Sequence, residues 1–89
     1  MPNSILFMDN SWDDYCYWQT QDRKTLKRIN TLLQEICRNG HEGAGSPEPL
    51  RHEQSGWWSR RIDIQNRLVY RIDDNVVVVL SCRSHYDDL

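Results

Sequence analysis

No stretch of this 89-residue chain stays apolar long enough to cross a bilayer. The first residues also lack the basic segment, apolar core and small-residue cleavage site of a secretory signal. A membrane role is therefore not expected. Cysteine is scarce and odd in number: Cys16, Cys37 and Cys82 are widely spaced and form no CxxC pair. That argues against a disulfide framework and for a reducing, cytoplasmic setting. The same spacing provides no zinc ligand pair, so a zinc site is not expected, and no cofactor is expected either. Lysine stops at Lys27. Glycine and proline are few but concentrated, with three of four glycines and two of three prolines between Gly40 and Pro49. There is no repeat, low-complexity tract or linker, and the length suits one small domain over residues 1–89.

The formal net charge of −2 would disfavour a nucleic-acid partner if only the total mattered. Distribution matters more. From Leu50 to Arg83 six arginines face four acids. Four Trp and four Tyr leave a surplus beyond the needs of a small core. The stretch Ser55 to Tyr70, SGWWSRRIDIQNRLVY, carries the pattern that organises the chain. It reads as two strands joined by a short turn. Side chains alternate along a strand. With Trp58 and Ile62 toward the core, Trp57, Ser59 and Arg61 face away. With Leu68, Tyr70 and Ile72 toward the core, Arg67, Val69 and Arg71 face away. One face then presents Arg61, Arg67 and Arg71 together, and an anion would relieve their repulsion.

In chain order, Ser4 to Met8 reads as a first strand. Ser11 is a candidate N-cap with Asp14 three residues on. Trp12, Tyr15, Cys16 and Trp18 pattern a short helix ending near Thr20, and Trp12 and Trp58 are expected in the core. Asp22 caps a second helix, in which Leu26, Ile29, Leu33 and Ile36 recur at helical spacing. Gly40 stops it. Gly40 to Pro49 is a loop of defined shape. Leu50 to His52 reads as a short strand, followed by strands over Trp57 to Asp63 and Arg67 to Asp73. Asp73, Asp74 and Asn75 make a turn. Val76 to Leu80 suits a central strand, continuing through Arg83. With Leu80 and Cys82 toward the core, Arg83 and His85 fall on the other face. The expected architecture is α+β: an N-terminal strand and two helices packed on one side of a mainly antiparallel sheet. The other side is the candidate site.

A carboxylate (Glu48), clustered arginines and a histidine (His85) are the components of acid–base phosphodiester cleavage. RNA supplies its own nucleophile, the 2′-hydroxyl. A base takes its proton, an acid protonates the leaving 5′-oxygen, and cations stabilise the phosphorane. Carboxylates are ionised at neutral pH, and histidine among phosphates can stay protonated. Each residue also has a plain structural reading. Glu48 between two prolines reads first as a solvated loop acid, since charged loop residues are generally exposed. Arg60 and Arg61 are equally edge charges. Arg67 and Arg71 could pair with Asp63 or Asp73. His85 is equally a frayed terminal residue, and His41 and His52 are structural or solvated. Trp57, on the arginine face, is the tryptophan best assigned to partner contact.

SWDDYCYWQ at Ser11 to Gln19, Glu42 to Leu50 with its EGxGxPEPL pattern, SGWWSRRI at Ser55 to Ile62, RLVY at Arg67 to Tyr70 and CRSHY at Cys82 to Tyr86 together resemble the YoeB (Txe) family of toxin–antitoxin toxins. The resemblance implies a microbial-ribonuclease, RelE-like fold. It implies a ribosome-dependent messenger-RNA endonuclease, active in the A site of the 70S ribosome, that arrests translation without a metal. Carried over, Glu48 is the general base, His85 the general acid, Arg67 the stabiliser of the scissile phosphate and Tyr86 a positioning residue. Arg51 and Arg61 occupy basic positions near the substrate, and Arg83 and Trp57 join them as contacts on the residue reading. The family implies a YefM/Axe-like antitoxin, a homodimer, and DNA contact only through the antitoxin. The chain departs from the usual pattern in its Asp87-Asp88-Leu89 tail and in Ala44, Ser46 and Ser84. The alternative is a non-catalytic module: a steric translation inhibitor at the ribosome, or a corepressor acting through its antitoxin.

Overall fold

Hydrophobic periodicity places two helices against a mixed five-stranded sheet. The computed structural model describes residues 2, 4–8, 10–51 and 56–84, with Ser84 in its backbone only. The order is β1 (Ser4–Phe7), α1 (Ser11–Gln21), α2 (Arg23–Asn39), β2 (Glu48–Pro49), β3 (Trp58–Arg61), β4 (Arg67–Asp73) and β5 (Val76–Ser84). Spatially the strands run β1-β5-β4-β3-β2. β1 lies parallel to β5, and the other three pairings are antiparallel. The Val-rich β5 is an interior strand, paired on both sides by β1 and β4, as its unbroken β-branched run predicts. No helix among the described residues is long and apolar enough to cross a membrane.

The core lies between the helices and one sheet face. Ile29, Leu32, Leu33 and Ile36 of α2 meet Leu68, Tyr70, Val77, Val79 and Cys82, with Trp18 of α1 beside them. Ile29, Ile36, Leu68 and Val79 are fully buried, and burying one such side chain contributes about 1.5–3 kcal/mol. Asp22 caps α2 as expected, accepting from the backbone N–H groups of Lys24 and Thr25. The Thr25 hydroxyl and backbone N–H hold its carboxyl below the usual range. Gly40 closes the helix at φ 67°, with its N–H bonded to Ile36 O.

Four expectations need correction. Ser11 is not the cap of α1; Asn10 holds that position without a side-chain bond. Ser11 is buried and donates to Val79 O at 2.9 Å. Trp12 is not core: it is half exposed and packs edge-on to Phe7 and against Tyr15 at the sheet edge. The short strand is Glu48–Pro49, two residues earlier than Leu50–His52; His52 lies outside the described residues. Pro49 is tolerated because β2 is an edge strand. Finally, Leu80 does not join the core and Arg83 does not return to the arginine face. Two register shifts along β4–β5 put extra residues into β5, and each shift breaks strict alternation. Arg83 instead lays its guanidinium 3.5 Å from the centroid of the Tyr17 ring on α1.

α1 is fastened to β5 by polar groups. β1 pairs β5 only through Val79, so the strand edge beyond it needs other partners. Asp14 Oδ2 accepts from Cys82 N at 3.1 Å, and Trp18 Nε1 donates to Cys82 O at 2.8 Å. The SWDDYCYW run is thus a helix that completes a sheet edge. Burial first, and Asp14 second, push the Cys82 thiol up to about 12. Thiolates, not thiols, are alkylated. Iodoacetamide at about pH 8 is therefore expected to label the half-buried Cys16 and Cys37 in the native protein and to spare Cys82 until unfolding. Peptide mass mapping checks this, and early Cys82 labelling would contradict the packing of α1.

Candidate functional site

The helix-free sheet face is built from cross-strand rows. Glu48 stands opposite Ser59, and Ser59 opposite Val69. In the next row Arg61 stands opposite Arg67. Directly opposed residues of an antiparallel pair share a face, so Glu48, Arg61 and Arg67 are brought together. Arg67 Nη1 donates to Glu48 Oε1 at 3.2 Å. Arg67 is 17% exposed and Glu48 46%. An ion pair this open is screened and contributes about 0–1 kcal/mol. An arriving phosphate can therefore take the guanidinium from the carboxylate. Arg61 is exposed beside it, and two opposed guanidiniums keep the row favourable to anions.

The third arginine of the predicted cluster is elsewhere. Arg71 Nε donates to Asp73 Oδ2 at 2.8 Å, and its guanidinium lies 4.6 Å from the Trp57 ring centroid. Asp73 neutralises it at the other end of β4. Trp57 holds its expected face, with one side of its ring against Arg71. Arg51 is exposed just beyond β2. Arg83, against Tyr17, is apart from this group. His85 and Tyr86 lie outside the described residues.

Arg60 is the residue that the edge-charge reading misplaced. It is fully buried. Its Nη2 donates to Gly40 O at 2.8 Å and Glu42 O at 3.0 Å, its Nη1 to Ala44 O at 3.1 Å, and its Nε to the Tyr70 hydroxyl at 3.3 Å. One guanidinium thus shapes the loop that delivers Glu48. Glu35 on α2 accepts from Ala44 N, and Gly45 O accepts from Arg61 N. Gly43 and Gly45 have positive φ, and a Cβ on Gly43 would lie 2.7 Å from Glu35 Oε1. Only glycine lets the loop close this tightly. The signal was in the strand parity: Arg60 has the phase of Trp58 and Ile62.

Beside Arg60, His41 stacks on Trp58 at 3.9 Å and meets the Tyr70 hydroxyl through Nδ1 at 3.3 Å. Burial, then the Arg60 charge, lowers its affinity for a proton. Since Arg60 donates to the Tyr70 oxygen, the Tyr70 O–H is free to donate to neutral His41 Nδ1. Burial raises the Tyr70 phenol, with Arg60 opposing. His41 is therefore structural, as expected from the sequence.

A two-helix layer on a mixed five-stranded sheet is the α+β fold of the RelE/YafQ kind. The fold is shared with Escherichia coli YafQ at TM-score 0.75 over 94% of this chain and 93% of that one, at 14% identity. Within that class the match is specific: residues 7–86 fit the YoeB-like toxins of bacterial type II toxin-antitoxin systems, and the chain belongs to that family. It is 46% identical over 82 residues to Toxin YoeB of Escherichia coli K12, covering 92% of this chain and 98% of that protein. It superposes on the Staphylococcus aureus YoeB dimer structure at TM-score 0.90 and 45% identity, covering 97% of this chain and all of that one. Staphylococcus aureus YoeB has also been solved in a heterotetrameric complex with YefM, where the match is TM-score 0.88 at 46% identity over 97% of this chain and 99% of that one.

Proposed function

We propose that this toxin is a ribosome-dependent messenger-RNA endoribonuclease. The observation that carries the reading is the Glu48–Arg67 contact on the helix-free face, beside Arg61. Glu48 takes the proton of the 2′-hydroxyl, which attacks the adjacent phosphorus. Arg67 and Arg61 stabilise the doubly charged phosphorane. His85 protonates the leaving 5′-oxygen and Tyr86 positions the nucleotide. Arg51 and Trp57 contact flanking RNA. The cleaved strand then carries a 2′,3′-cyclic phosphate and a 5′-hydroxyl. The partners are messenger RNA in the A site, the 70S ribosome, a YefM-like antitoxin and a second copy of the chain. The exposed apolar edge at Ile5, Leu6 and Trp12 supports self-association. DNA is met only through the antitoxin.

The test is fragment-end analysis on purified ribosomes. Cyclic phosphate or 3′-phosphate ends are expected from ordinary messenger RNA. A message with 2′-deoxyribose at the scissile nucleotide is expected to stay whole. Normal cutting of that message would remove the 2′-hydroxyl from the mechanism. Translation arrest with no cleavage at all would favour the steric inhibitor.

A further inference from the structure

Ser59 is a polar residue that the fold leaves unexplained. It stands opposite Glu48 on the helix-free face. It is fully buried, and its Oγ has no hydrogen-bond partner among the described residues. Buried hydroxyls are nearly always paired, and an unpaired one destabilises the folded state. Its other cross-strand neighbour, Val69, has no side-chain acceptor. Glu48 has one, and opposed residues hold their Cβ atoms about 4.5–5.5 Å apart. In the structure that carboxylate is turned toward Arg67 instead. Arg67 is also the group a phosphate would engage.

We propose that Ser59 is a positioning residue that takes over the Glu48 carboxylate once substrate binds. A phosphate on Arg67 displaces Glu48 from the ion pair. One carboxylate oxygen then accepts a hydrogen bond from Ser59 Oγ, and the other stays directed at the 2′-hydroxyl. The ion pair can yield because Glu48 is nearly half exposed. Ser59 touches no reacting atom; it acts through Glu48, so the inference rests on Glu48 as the base.

The test is Ser59→Ala in the full chain, assayed under single-turnover conditions on messenger-programmed ribosomes. The cleavage rate is expected to fall about tenfold, with the half-saturating ribosome concentration unchanged. The thermal midpoint should hold or rise, because an unpaired buried hydroxyl has been removed. Ser59→Cys, close in shape but a weaker donor, should fall between. In a Glu48→Ala background, Ser59→Ala should cost nothing more. A lowered midpoint, an unchanged rate, or the same loss again in that background would overturn the assignment. If Glu48→Ala alone cleaves at the full rate, the base itself is misassigned, which is a separate failure.

Discussion

Glu48→Ala is expected to lower the single-turnover rate of messenger-RNA cleavage about 10²-fold or more, at nearly unchanged stability. The two effects separate because of where the residue sits. Its ion pair with Arg67 is open to solvent, so losing it costs the fold about 0–1 kcal/mol. Among the described residues of those rows Glu48 is the one carboxylate, since its neighbours are arginine, serine and valine, so the proposed base has no substitute there. Wild-type and Glu48→Ala proteins should therefore share a urea midpoint and differ in rate. A variant that cleaves at the wild-type rate would end the acid–base reading. A variant that inhibits translation fully without cleaving would replace it with steric occupation of the decoding site.

The second large effect falls on stability. Arg60→Met is expected to cost ~3–5 kcal/mol, the range seen when a buried charged group is removed and its partners are stranded. Methionine fills much of the aliphatic volume but leaves Gly40 O, Glu42 O, Ala44 O and the Tyr70 hydroxyl without their donor. A domain of this size has about 5–15 kcal/mol in all, so the variant should sit near its unfolding midpoint at low urea. Urea titration at constant m-value measures the loss. A loss under about 1 kcal/mol would mean the loop keeps its shape without the guanidinium. Arg60→Lys keeps the charge but not the planar fork, and should recover only part of the stability.

Local signals were legible where one residue answers to its near neighbours. Asp22 caps α2 because its own carboxylate reaches Lys24 and Thr25. Gly40 ends the helix because its φ is 67°. β4 begins at Arg67 as read, because Asp63 closes the turn on Gln65 and Asn66. Ser11 has the same look as Asp22 on paper. Its hydroxyl instead donates to Val79 O, 68 residues away, a carbonyl that also accepts from Met8 N where β1 ends on β5. Strict alternation puts Arg83 on the arginine face, and the register shifts of β5 override it.

The sequence by itself determined the strand–helix–helix–meander order and, through alternation, the shared face of Arg61 and Arg67. Its motifs carried the family resemblance. Periodicity and turn chemistry act over a few residues, so they survive in one dimension. Tertiary structure alone decided that Glu48 meets Arg67 and that Arg60 donates to the Gly40 and Ala44 carbonyls of the loop. Those outcomes depend on strand register and loop closure, which bring together groups 16 to 20 positions apart. Only there does burial make the Arg60 guanidinium the scaffold of the loop, while Arg61, its neighbour in sequence, stays exposed on the opposite sheet face.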